Sequence, residues 1–129
     1  MNCVPYDRKY LDGIVGLCSV EGWHSYADDS ERTHRVLTAP GVTTMVACHD
    51  GAVVGFASLQ SDGEIQAHLS IILVGSPQRR LGIAKRLLHE ALERAGGQRI
   101  DLITETAEGF YLSLEHRRMS GYRLYPPIA

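Results

Sequence analysis

QAHLSIILVGSPQRRLGIAKRLLHEAL, residues Gln66 to Leu92, decides how this chain is read. An apolar strand, Ile65 to Val74, leads into a polar turn, Gly75 to Gln78. A basic, glycine-containing segment, Arg79 to Ala84, then runs straight into a helix. This succession describes an anion site. The first turn of a helix has backbone N–H groups without intrahelical partners, and the macrodipole adds partial positive charge there. A phosphate set against those donors is stabilised, more so beside guanidinium groups. The segment is not a Walker loop, since no Gly-Lys-Ser/Thr follows, nor a Gly-x-Gly-x-x-Gly dinucleotide loop.

Period-two alternation divides the central strand into two faces. Ile65, Ala67, Leu69, Ile71 and Leu73 point one way; Gln66, His68, Ser70, Ile72 and Val74 point the other. Three successive polar side chains on one face of a middle strand are costly unless water or a ligand reaches them. A cleft beside that face is therefore expected.

Outward from this stretch, Met1 to Pro5 reads as a short edge strand. Asp7 is placed to cap a helix whose apolar stripe is Tyr10, Leu11, Ile14, Leu17 and Cys18, ended by Gly22. A loop with two aromatics follows, Gly22 to Ala27, then a helix from the Asp28-Asp29-Ser30-Glu31 run to about Leu37. Val42 to Cys48 and Ala52 to Gln60 are strands joined by an Asp50-Gly51 turn, and Ser61-Asp62-Gly63 turns into the central strand. The helix from Arg80 to Ala95 carries core positions Ala84, Leu87, Leu88, Ala91 and Ala95, with Glu90 and Arg94 spaced for an ion pair. Arg99 to Thr104 is the next strand, and the helical crossover implies parallel pairing with the central one. Thr106 is placed to cap a short helix from Ala107 to about His116, and Tyr122 to Tyr125 is a last strand.

The chain has 129 residues, enough for one domain with its own core, residues 1–129. A net charge of −2 argues against a nucleic-acid-binding surface. No apolar run reaches membrane-spanning length and no signal-peptide layout is present, so a membrane partner is not expected and a reducing cytoplasm is the default. Cys3, Cys18 and Cys48 lack the spacing of a disulfide framework or zinc site, so no metal is expected.

Arg79-Arg80-Leu81-Gly82-Ile83-Ala84 resembles the Arg/Gln-x-x-Gly-x-Gly/Ala signature of the GNAT superfamily, the Gcn5-related N-acetyltransferases. Phe110-Tyr111 after the following strand is a second similar segment, and the likeness extends over most of the chain from Asp7 onward. An ordinary strand–helix turn in an unrelated α/β domain is the alternative. The resemblance implies an α/β (α+β) three-layer fold. Its mixed sheet has about six strands, the N-terminal ones antiparallel and a later parallel pair splayed, with helices on both faces. It implies an N-acetyltransferase that moves the acetyl group of acetyl-CoA (coenzyme A) to a primary amine by direct attack in a ternary complex. The amine acceptor is a small molecule or peptide, and the protein a monomer or homodimer. A non-catalytic acyl-CoA-binding module is the competing reading. Two departures stand out: Leu114-Glu115-His116 replaces the usual Leu-Gly-Phe, and the C-terminus leaves room for only one strand.

Under this resemblance the amides of Arg80, Leu81, Gly82, Ile83 and Ala84 hold the pyrophosphate, with Arg79, Arg80 and Lys85 adding charge. The end of the central strand, Ile72, Leu73 and Val74, pairs with the pantetheine arm and offers backbone N–H groups to the oxyanion. Tyr111 is the general acid for the departing thiolate; a packed tyrosine on an amphipathic helix is the alternative. His68 is the first candidate base, since histidine titrates near neutral pH, against a histidine that only orders water. Glu64 and Glu105 are weaker candidates. Trp23, Tyr26, Gln66 and Ser70 are expected to face the acceptor. The acids Glu21, Asp28, Asp29 and Glu31 suit a cationic amine or, for Asp29 and Glu31, helix capping.

Overall fold

The structure, a computed structural model, describes residues 1–128. In chain order its strands are β1 (Asn2–Pro5), β2 (Val42–His49), β3 (Ala52–Ser61), β4 (Gln66–Val74) and β5 (Arg99–Asp101). Its α-helices are α1 (Leu11–Val20), α2 (His24–Ala27), α3 (Ser30–Leu37), α4 (Ile83–Ala95) and α5 (Glu108–Leu112). The strands form one sheet in the order β1-β2-β3-β4-β5. The first four are antiparallel neighbours, and β5 runs parallel to β4 across the α4 crossover.

Local chemistry sets the turns. Asp50 and Gly51 take φ of 50° and 79°, the positive values a two-residue hairpin needs. Asp62 Oδ1 accepts from the amides of Glu64, Ile65 and Gln66 at 2.8, 2.7 and 3.2 Å, which fixes the start of β4. Those bonds, that of Ile65 foremost, hold its carboxyl below the usual range. Asp29 caps α3 by accepting from the Arg32 amide at 3.0 Å.

The sheet has a core on each face. On one side α4 contributes Ile83, Leu87, Leu88 and Ala91 against Met45, Ala57, Leu59 and Leu69. On the other, Ile14 and Cys18 of α1 and Leu37 of α3 pack on Val46, Phe56, Ile71 and Leu73. Fully burying a side chain such as Phe56 contributes roughly 1.5–3 kcal/mol.

Several expectations are corrected. The sheet has five strands, not about six: Tyr122 to Tyr125 forms no strand, and its Tyr122, Leu124 and Tyr125 are exposed. Strict alternation fails along β4. Ser58 pairs with Ile71 while Leu59 pairs with Leu69, so Ser70 is an extra residue in a β-bulge. Beyond it the faces exchange, and Ile72 and Val74 join Leu69 on the α4 side. The helix after the basic turn begins at Ile83 rather than Arg80, because Arg80 and Gly82 adopt left-handed φ of 65° and 80°. Strand β5 stops at Asp101, not Thr104, and α5 at Leu112, short of His116. Thr104 Oγ1, not Thr106, accepts from the Ala107 amide. Glu90 pairs with Arg86 rather than Arg94, the Arg86 Nε lying 3.2 Å away.

Candidate active site

β4 and β5 pair only at Gln66, Ala67 and His68, opposite Arg99, Ile100 and Asp101. Beyond His68 no described strand accompanies β4 on that side. β5 ends at Asp101, and beyond it a cleft of about 1270 Å³ opens between β4 and the segment that follows β5. One wall is Leu69 to Val74. The other is the segment after β5, Leu102 to Ala107, with Phe110 and Tyr111 of α5. The loop from Gln78 into α4 closes one end, and Glu21 and Trp23 stand at the α1–α2 junction.

The loop is built to present backbone donors. A short 3-10 turn, Ser76–Gln78, follows β4. The left-handed backbones of Arg80 and Gly82 then re-aim the chain so that α4 begins facing the cleft. Gly82 occupies the N-cap position and supplies no side-chain bond, which leaves the first amides of α4 for an outside acceptor. A Cβ at Gly82 would have open space around it, so the glycine is there for its φ and for room. Arg80 and Lys85 are exposed and border the cleft.

Two groups inside the cleft are chemically pointed. The Ser70 hydroxyl, carried on the bulge, is buried without a hydrogen-bond partner. Tyr111 is half-buried, its ring edge-on to Phe110 at 5.0 Å, and burial raises its phenol pKa above the ordinary value. It carries its proton at neutral pH and, as a weaker acid than a free phenol, can protonate a leaving thiolate only when that sulfur is held within hydrogen-bond reach.

Of the residues singled out in the sequence, Ile72, Leu73, Val74, Arg79, Arg80, Gly82, Ile83, Ala84, Lys85, Ser70, Trp23 and Tyr111 all line this cleft. Leu81 projects away, 71% exposed. His68 and Gln66 lie on the exposed first half of β4, outside the lining. Tyr26 is half-buried against the α1 side of the core, with Trp23 edge-on to it at 6.4 Å. None of the three cysteines borders the cleft; burial pushes the thiols of Cys3 and Cys18 up to about 11. Glu31 is committed to Arg8 and Asp29 to its cap.

Sequence reasoning missed the partner of Arg79. Its Nη2 donates to Glu21 Oε2 at 2.8 Å and its Nε to the Val74 carbonyl at 3.0 Å. The sequence pattern instead groups Glu21 with the acids that suit a cationic amine. A contact spanning 58 positions leaves no local pattern to read.

A sequence profile described as "Acetyltransferase (GNAT) family" matches residues 9–115. The chain belongs to the GNAT acetyltransferase family. Among curated proteins none matches by sequence. Solved structures share the fold at low identity. The aminoglycoside 6′-N-acetyltransferase AAC(6′)-IG of Acinetobacter haemolyticus is 16% identical with a TM-score of 0.78, covering 100% of this chain and 99% of that one. The aminoglycoside N-acetyltransferase AAC(6′)-Iy, solved with CoA, is 17% identical with a TM-score of 0.76, covering 99% and 100%. A protein of Bacillus halodurans C-125 described as a transcriptional regulator is 20% identical with a TM-score of 0.80, covering 96% and 98%. The features of this cleft fit a CoA-type ligand. The cleft offers uncapped amides for phosphate, an unaccompanied strand edge for an amide-bearing arm, and a buried hydroxyl lacking a partner.

Proposed function

We propose that this protein transfers the acetyl group of acetyl-CoA to a primary amine of a small molecule or peptide by direct attack in a ternary complex. The observation that carries the reading is the anion loop from Arg80 to Lys85, opening directly onto a cleft that also holds Tyr111. Acetyl-CoA supplies the thioester. The amides from Arg80 to Ala84 hold its phosphates, with Arg80 and Lys85 adding charge. The free edge of Ile72 to Val74 orients its arm and offers N–H donors to the carbonyl oxygen. A C–N bond forms as the C–S bond breaks; Tyr111 gives its proton to the departing sulfur, and the amine gives one to a base.

Two residues are the candidates for that base. Glu105 lines the cleft. His68 lies outside the lining, so as the base it would have to act through a water. Glu105→Gln and His68→Gln are to be compared by pH–rate profile: the variant that loses the acidic limb of kcat/KM identifies the base. Trp23 and Ser70 line the cleft and are the residues proposed to face the acceptor, with Tyr26 behind Trp23; Gln66 lies outside the lining. Because two similar folds are aminoglycoside acetyltransferases, aminoglycosides head the panel of acceptors. Three unpaired cysteines suit a reducing compartment such as the cytoplasm.

The test is calorimetric titration with acetyl-CoA of wild type and of Arg80→Glu with Gly82→Asp, followed by thiol release over an amine panel. Micromolar binding abolished by the double change, with release for at least one amine, is expected. No binding by folded protein overturns the reading. Binding without release for any amine returns the site to a CoA-binding module.

A further inference from the structure

Three segments meet at one carboxylate. Glu21 follows the last residue of α1, and its Oε2 accepts from Arg79 Nη2 at 2.8 Å. Its Oε1 accepts from the Ser76 hydroxyl at 3.3 Å. Arg79 also donates to the carbonyl of Val74, the end of β4. The Glu21 side chain is 18% exposed and that of Arg79 50%. The acid is therefore the recessed anchor, and the guanidinium is committed to two acceptors of the protein itself. Partly exposed ion pairs add little to global stability, so the convergence needs a local explanation.

The other side of Glu21 supplies one. Gly22, with φ of 80°, reverses the chain, and the Trp23 amide donates to the Cys18 carbonyl at 2.8 Å. Trp23 lines the same cleft as the loop. A path of two residues connects the group that holds the loop to the indole beside the acceptor space. One clamp thus holds the anion loop, the end of β4 and the Trp23 wall as a unit.

We infer that Glu21 is a positioning residue that couples the two halves of the site. Through Arg79 and Ser76 it holds the anion loop ready for phosphate, and through Gly22 it ties that loop to Trp23. Occupancy of the loop is felt at the acceptor wall, and by linkage the acceptor is felt at the loop. The coupling rests on the acetyl-CoA reading above. It also explains why Arg79, first residue of the basic turn, does not turn its charge to the ligand.

The sole tryptophan of the chain is the reporter. Coenzyme A is titrated into wild type, Glu21→Gln, Arg79→Met and the double variant, with heat and Trp23 emission recorded together and circular dichroism confirming the fold. In wild type, emission changes with the same midpoint as the heat. Glu21→Gln keeps the side-chain size and removes the charge. It is expected to bind roughly three- to tenfold more weakly and to lose most of the emission change even at saturation. The double variant binds no more weakly than the poorer single one, because one clamp has been broken twice. An undiminished Trp23 response in Glu21→Gln, additive losses in the double variant, or a silent Trp23 in wild type that binds coenzyme A each overturns the coupling alone. Absence of heat in wild type overturns the acetyl-CoA reading, and the coupling with it.

Discussion

Leu69 and Ile71, two positions apart on β4, face opposite sides of the sheet. Leu69 packs under α4, and Ile71 packs with Phe56 under α1 and α3. Ser70 between them is the extra residue of the bulge, and its hydroxyl is buried without a partner. An unpaired buried hydroxyl costs roughly 1–3 kcal/mol of desolvation. Ser70→Ala is therefore expected to leave the ligand-free protein as stable or slightly more so, with Tm unchanged or raised by up to about 4 °C. The same change is expected to weaken acetyl transfer, since the cleft loses a polar contact. A Tm drop of more than about 4 °C would show that the hydroxyl has a partner after all.

Gly82 and Gly96 both have positive φ, 80° and 72°, but their surroundings differ. A Cβ at Gly82 meets nothing within 4 Å, whereas one at Gly96 would sit 2.6 Å from the Gly63 carbonyl oxygen. Gly82→Ala is expected to cost only the left-handed backbone strain, ~1 kcal/mol, while weakening coenzyme A binding much more. Gly96→Ala adds a clash with backbone and is expected to cost more than ~3 kcal/mol. Urea unfolding of both variants checks the order, and calorimetry checks the binding.

Much of this architecture was legible beforehand. The strand, basic turn and helix from Gln66 to Leu92, the Asp50-Gly51 hairpin and the parallel β4–β5 pair all follow from local pattern. The bulge did not, because Ser70 is an ordinary strand residue in sequence and its offset exists only against Ser58 on the neighbouring strand. Nor did the Glu21–Arg79 contact, which the fold alone brings together. Nor is the start of the cleft written in the alternation of β4: His68 still pairs with β5 through Asp101 and lies outside the lining. The cleft begins at Leu69, one residue further along, where β5 has already ended.

Tyr111 carries its proton at neutral pH, and burial raises its phenol pKa further. Tyr111→Phe removes the proton and little else, because the ring still packs against Phe110. If the phenol is the general acid, kcat is expected to fall by about 10²–10⁴ with the affinity for acetyl-CoA unchanged. A fall in affinity with unchanged kcat would make Tyr111 a wall residue. Steady-state kinetics with the best amine of the panel separates the two.

Cys18 is fully buried, and burial lifts its thiol from the ordinary 9.0 to about 11. The folded state thus holds this proton more tightly than the unfolded chain does. The resulting stability is fully present below pH 9 and is lost as pH rises towards 11. For this one group the loss amounts to roughly 3 kcal/mol. Tyr26 and Tyr111, raised by the same cause, act in the same direction at higher pH. Unfolding free energy measured from pH 8 to 11 is expected to decline, and Cys18→Ala, itself destabilised by the lost packing, should decline less steeply. Equal slopes would show that the Cys18 thiol does not contribute.

The C-terminal residues test the correction to the sheet. Tyr122, Leu124 and Tyr125 are 84%, 67% and 73% exposed, and the segment forms neither helix nor strand. Apolar burial is the dominant favourable term in folding, so a segment that buries so little contributes little. Truncation after Ser120 keeps Arg118, which pairs with Glu108, and among the described residues removes the exposed Tyr122, Leu124, Tyr125 and Ile128 together with Arg123. The truncated protein is expected to melt within about 2 °C of the full chain at low protein concentration. Arg123 borders the cleft, so stability rather than turnover is the measurement to make. A loss of 5 °C or more would mean that Tyr122 to Tyr125 pairs with a sheet edge after all, and a sixth strand would return to the fold.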